Sequence, residues 1–240
     1  MIPITQSPYA LAQMQSYLDQ WEPLSDRRAI FLSCYSRMTR NTLASLDNGI
    51  FLDPHWVESL LDRFADYYFV AVKAFESDPQ SSPAVWQQTF GAASDPRIRV
   101  VQHLILGVNA HINYDLVLAL IDMLDPEWQA FPESQRLKRY ADHCQINQII
   151  ASTIDEVQDE VLEHYSPAMD LIDRAFGRLD ELIIARLLSA WRDQVWKQVM
   201  RWVDLPSAEE RDNLLQQVES NSVQRGQVIQ LNWRSFRQQP

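Results

Sequence analysis

Apolar residues recur three and four positions apart along almost the whole chain, and no stretch alternates apolar with polar at every second position. This pattern predicts helices throughout, and the presence of only five glycines in 240 residues leaves few interruptions. The turn signals divide it. A first helix is expected over about Pro8 to Trp21, with Tyr9, Leu11, Met14 and Leu18 on one face. Ser25 is expected to cap a second, from about Asp26 to Asp47, which Asn48-Gly49 ends in a left-handed stop. Asp53-Pro54 starts a third, to about Glu76, whose inward arc holds Trp56, Leu60, Phe64, Tyr67, Tyr68 and Ala71; Asp62 lies at its edge. Pro83 opens a short helix through Trp86 and Phe90 to Gly91.

The next helix dominates the reading. Asp95-Pro96 carries the start signal again, and no further proline occurs before Asp125-Pro126, so one long helix is expected over about 96–125. Wound at about 100° per residue, Leu104, Ile105, Leu106, Val108, Ile112, Leu116, Val117 and Leu118 leave no wholly polar side, as in a helix buried all round. Two polar stripes interrupt it: His103, Gly107, His111, Tyr114 and Asp115 on one arc, Gln102, Asn109 and Asn113 on another. Buried polar groups cost several kcal/mol unless partnered, so these residues need neighbours, water or a ligand.

Beyond it, Trp128 and Phe131 are expected to anchor an irregular link, and a helical run from Ser134 to Tyr165 to bend or break near His143. Ser166-Pro167 ends that run; a short helix then reaches Phe176-Gly177 and a long one covers about Arg178 to Leu205. Ser207-Ala208-Glu209-Glu210 is a capping box for the last helix, expected to weaken past Gly226. With no fixed-period repeat, the expectation is an all-α, single-domain antiparallel bundle over 1–233, built around the central helix, with a frayed tail at 234–240.

Composition narrows the function classes. The net charge of −11 and scattered Lys and Arg argue against a nucleic-acid surface, because phosphate binding needs concentrated cations. No uninterrupted apolar run reaches the roughly 18 residues of a membrane span, and the first residues do not resemble a signal peptide, so a cytoplasmic location is expected. Cys34 and Cys144 have no metal or disulfide spacing and read as small hydrophobes. Dinucleotide, Walker, nucleophile-elbow and HExxH signatures are missing.

Chemistry can reside in the polar stripes. His111 and Asp115 are one turn apart on one face, with His103 two turns before His111. Facing helices of bundle enzymes bring imidazole and carboxylate groups together around zinc, iron or manganese, so His103, His111 and Asp115 are candidate ligands of a divalent metal, with Asp62 or Asp155 completing the shell. Alternatively His111 and Asp115 are a metal-free acid-base pair. Asn109, Asn113, Tyr114, Asn147 and Arg186 are candidates to orient a small-molecule substrate. In the bland alternative, His111 and Asp115 bond each other or a neighbour such as Tyr35 or Arg186 and merely fix helix register. Gly107 admits either another helix or a ligand at close range.

Gln102-His103-Leu104 with Gly107-Val108-Asn109-Ala110-His111-Ile112-Asn113-Tyr114-Asp115-Leu116 resembles the hallmark of a helical family, the domain of unknown function numbered 5995. Asp53-Pro54-His55-Trp56-Val57 with Asp62, Phe64-Ala65 and Tyr68-Phe69, and later Asp142, Asn147, Asp155, Arg186 and Ala190-Trp191, are similar to its weaker blocks. The resemblance spans roughly Arg27 to Trp202 and implies one helical domain organised on these residues, without a substrate. Three functional classes follow: an enzyme, metal-dependent or not, acting on a small molecule at an interior His/Asp/Asn site; a non-catalytic helical binding or scaffold protein; and a lipid-binding bundle, for which the tryptophan-rich helix after Arg178 is the sequence hint.

Overall fold

The computed structural model describes residues 8–125, 127–157, 163–165 and 171–231, with the side chains at 8, 155, 163 and 171–181 excepted. Among them every regular element is helical: α1 (Pro8–Trp21), α2 (Arg28–Asp47), α3 (Pro54–Ser77), α4 (Ala84–Ala92), the central α5 (Val100–Leu124), α6 (Glu133–Glu156), α7 (Leu171–Asp204) and α8 (Ala208–Leu231).

Several ends differ from the sequence reading, each for a local reason. Ser25 does not cap α2; it adopts φ +55°, and Asp26 Oδ1 accepts the Arg28 amide instead. Gly49, at φ +69°, does make the left-handed exit. Asp53 caps α3 as expected, accepting the Trp56 amide at 3.1 Å. Asp95-Pro96 does not begin α5: Asp95 closes a turn on the Arg97 amide, and the helix starts at Val100, where Gln102 Oε1 reaches back to the Arg99 amide. α6 continues through His143, packed on α2 and α7, and α7 continues through Gly177. α8 continues past Gly226 to Leu231. Ser166-Pro167 and the tail lie outside the described residues.

α5 sits in the middle. It packs against α2, α3, α4, α7 and α8, and 72% of its most apolar stretch is buried. By length and composition α5 could cross a membrane, so the expectation that no span exists rests on this burial, which is what a core helix requires. One apolar cluster surrounds its C-terminal half, from Ile112 and Leu116 to Leu124, with Trp56, Leu60, Ile150, Trp196 and Val199. A second lies towards α1, α2 and α4, with Met14, Phe31, Leu32, Tyr68, Trp86 and Ala110. Between them α5 widens into a π-helical turn, His111–Asp115. The seam of the two clusters is thus the most polar part of the central helix.

Acidic side chains pin one corner. Asp142, 1% exposed on α6, accepts the Leu52 and Asp53 amides at 2.7 and 2.8 Å, and Arg139 bonds Asp53 Oδ2, so α6 fixes the entry into α3.

Candidate functional site

The π turn carries the two residues that the sequence singles out. His111 Nδ1 lies 2.9 Å from Asp115 Oδ2, and Trp86 Nε1, from α4, donates to both carboxyl oxygens at 3.0 and 3.1 Å. A buried indole N–H requires an acceptor, and Asp115 supplies it. The imidazole is enclosed by aromatic rings: Phe64 stacks on it with centroids 3.5 Å apart, and Tyr35 packs edge-on at 4.3 Å, with Phe31, Tyr68 and Trp86 beyond. His111 and Asp115 are 3% and 1% exposed.

Burial sets their charge. Removal from water pushes the His111 pKa well below its ordinary value and that of Asp115 well above, the Trp86 hydrogen bond only partly offsetting the latter. Burial thus favours the neutral form of each group, and one hydrogen bond joins Oδ2 and Nδ1. His111 Nε2 has no hydrogen-bond partner among the described residues, nor do the buried Tyr35 and Tyr68 hydroxyls.

The second polar stripe is engaged by α8. Asn109 Nδ2 donates to Ser222 O at 2.9 Å, Asn113 Nδ2 to Asn109 Oδ1 at 3.2 Å, and Ser222 Oγ lies 3.2 Å from Asn113 O and 2.9 Å from Val218 O. Gln102 Nε2 donates to Ile229 O at 2.8 Å further along the same contact. Tyr114 is half-buried between the two apolar clusters, its hydroxyl pKa raised by burial and then by Glu219. Gly107 answers the question left by its sequence position: a Cβ there would overlap the Phe31 ring, so the close approach is by α2.

The other candidates lie apart. His103 sits with Arg27, whose Nη1 is 3.5 Å from its Nε2, and burial followed by that guanidinium lowers its pKa to about 4. It shares with Phe31 and Trp86 a hollow of about 10 Å³, room for one water. Asp62 and Arg186 are exposed, and the Asp155 side chain lies outside those described. Asn147 accepts from Arg192 Nε at 2.8 Å. No group of three His, Cys, Asp or Glu that could hold a metal occurs among the described residues.

Two residues escaped the sequence reading. Trp86 was given no role beyond its place on the short helix, since nothing local reveals an indole partner 29 positions away. Arg192, not Arg186, is the inward arginine: it is 3% exposed, donates from Nη2 to His143 O at 2.8 Å, and desolvation lowers its pKa to about 10. His143 Nε2 in turn donates to Arg192 O at 3.1 Å, a reciprocal clasp between α6 and α7.

No curated protein and no solved structure matches the chain. A family does match, over residues 9–231, extending the resemblance to α1 and α8. With the His111–Asp115 and Asn109–Asn113 pairs of the family-like motif set at the seam of an all-helical bundle, the chain belongs to the family described as "Family of unknown function (DUF5995)".

Proposed function

We propose that the chain is a non-catalytic helical binding or scaffold protein in which the polar residues of α5 lock the register of the bundle. The observation that carries this reading is the state of Asp115: both oxygens are engaged by Trp86 and His111, at 1% exposure. A carboxyl group so enclosed has no face left for a substrate, and Phe64 covers the imidazole beside it. Asn109 and Asn113 are likewise spent on each other and on Ser222. The guanidinium beside His103 disfavours a cation there.

A second reading rests on the unpartnered, buried Nε2 of His111. In it, His111 and Asp115 act on a small molecule, with or without a divalent metal, after the aromatic cage opens. Metal content and urea unfolding of the purified protein and three variants separate the two. The lock predicts no stoichiometric metal, losses of about 3–5 kcal/mol in His111→Ala and Asp115→Ala, and a loss within about 1 kcal/mol in Asp115→Asn, whose amide replaces a neutral acid. One zinc, iron or manganese per chain, absent from both alanine variants while their stability is unchanged, would establish the enzyme reading instead.

A further inference from the structure

The contact between α6 and α7 turns on one imidazole. His143 and Arg192 are 1% and 3% exposed, and each bonds the main chain of the other. His143 Nε2 lies 3.1 Å from Arg192 O, while Arg192 Nη2 lies 2.8 Å from His143 O and 3.3 Å from His143 Nδ1. A main-chain carbonyl only accepts, so Nε2 carries the ring hydrogen. Nδ1 is then the bare nitrogen, and it accepts from the guanidinium.

The surroundings supply no counter-charge. Asn147 Oδ1 takes Arg192 Nε at 2.8 Å, and the neighbouring Asp193 is engaged by Lys197 Nζ at 2.6 Å and by the Tyr140 hydroxyl at 3.4 Å. On the same helix as His143, Asp142 accepts the Leu52 and Asp53 amides, Arg139 bonds Asp53, and the Cys144 thiol acts on the Arg192 guanidinium. Among the described residues Arg192 is the charged group that acts on the ring; α2 and α5, which also pack on α6, bring none to it. A proton added at Nδ1 sets one N–H against another and places two cations 3.3 Å apart out of water. The closed clasp therefore excludes the imidazolium, and burial, then Arg192, push the ring's pKa well below its ordinary value.

We propose that the His143–Arg192 clasp is a proton-operated latch: proton uptake by His143 releases α7 from α6 locally, before the bundle unfolds, and bares the Trp196 ring. That indole, 7% exposed, packs on the imidazole with centroids 5.0 Å apart. Once released, the ring takes a proton below about pH 6.5, so the open fraction grows about tenfold for each pH unit below that value. The latch uses no residue of the α5 lock, and its failure leaves that reading untouched.

Hydrogen exchange of the full chain at pH 7.5 and 5.5, corrected for the intrinsic pH dependence of exchange and repeated at low urea, tests it. Amides of 140–148 and 189–197 are expected to open about tenfold more often at pH 5.5, independently of urea below the unfolding transition. Those of α3 stay slower and urea-dependent. His143→Gln keeps one donor for Arg192 O and one acceptor for Nη2 but takes up no proton, so the acceleration in both segments disappears. His103→Gln, at the histidine beside Arg27, leaves it intact. Equal acceleration in His143→Gln, none in the unaltered chain, or opening of α3 at the same frequency overturns the proposal. Should His143→Gln not fold, the ring-nitrogen NMR shifts of His143 in the unaltered chain carry the test. A neutral ring with its hydrogen on Nε2 is expected for the closed form at pH 5.5, and an imidazolium in that form overturns the latch.

Discussion

At the scale of single residues, α5 shows how little room a well-packed seam leaves. Gly107 lets the Phe31 ring lie against the helix backbone, and that ring is one wall of the cage around His111. Gly107→Ala therefore forces α2 and α5 apart and is expected to cost about 1–3 kcal/mol, read from the urea midpoint. Gly91 is the matched control: nothing lies within 4 Å of its added Cβ, so Gly91→Ala is expected to be neutral or to stabilise by up to about 1 kcal/mol, through the reduced entropy of the unfolded chain. Equal losses at both positions would show that helix propensity, and not the Phe31 contact, governs Gly107. The sequence located this glycine and both residues of the pair, His111 and Asp115. It could not name Trp86 or Phe64 as their neighbours, because those contacts join residues far apart in the chain.

Among the elements, α5 and α8 are joined by several polar bonds as well as by apolar packing. Ser222, with 0% exposure, has its hydroxyl beside Asn113 O inside the π turn, while its own carbonyl takes the Asn109 amide. A π turn displaces the regular i→i−4 ladder, and a hydroxyl from the neighbouring helix is placed to meet the carbonyl that turns outward. Ser222→Ala leaves that geometry without its donor. The expected loss is about 1–2 kcal/mol, with faster amide exchange concentrated in α8 and in His111–Asp115 and slow exchange retained in α3. Uniform acceleration through all helices would mean that α8 is not a separately opening unit. Helix existence and most boundaries near prolines were legible from the chain alone: α1 matches to the residue, and α3 is capped by the expected Asp53. The misplaced break at His143 arose because local signals of a helix end were outweighed by the packing of α6 on α2 and α7.

For the whole molecule, buried titratable groups make stability depend on pH with a sign that can be worked out. His103, His111 and His143 all have pKa values lowered in the folded chain, first by burial and, for His103 and His143, further by Arg27 and Arg192. Below the ordinary histidine value of about 6.5 the unfolded chain takes up protons that the folded chain refuses, so these groups lower stability as the pH falls. Asp115 acts in the opposite direction: its raised pKa keeps a proton that the unfolded chain loses above about 3.9, a contribution present at low pH and lost as the pH rises. Three groups outweigh one. Unfolding at pH 5.5 is expected to take up about two protons from these four sites, measurable by calorimetry in buffers of different ionisation enthalpy, and the urea midpoint should fall from pH 7.5 to 5.5. Net proton release, or a midpoint that rises on acidification, would contradict the buried neutral state of the histidines.

The order of hydrophobic and polar positions by itself determined that the chain is helical, which helix is central, and which of that helix's residues cannot be explained by packing, because periodicity and proline-bounded starts are local properties of a polymer in water. Tertiary structure alone decided what those residues meet. It turned the central stretch into a π turn at the seam of two apolar clusters, gave Asp115 to Trp86, separated His103 from His111, and chose Arg192 over Arg186 as the inward arginine. The physical reason is that a buried polar group is satisfied by whichever partner the folded neighbours bring within about 3 Å, and that choice involves helices distant in sequence.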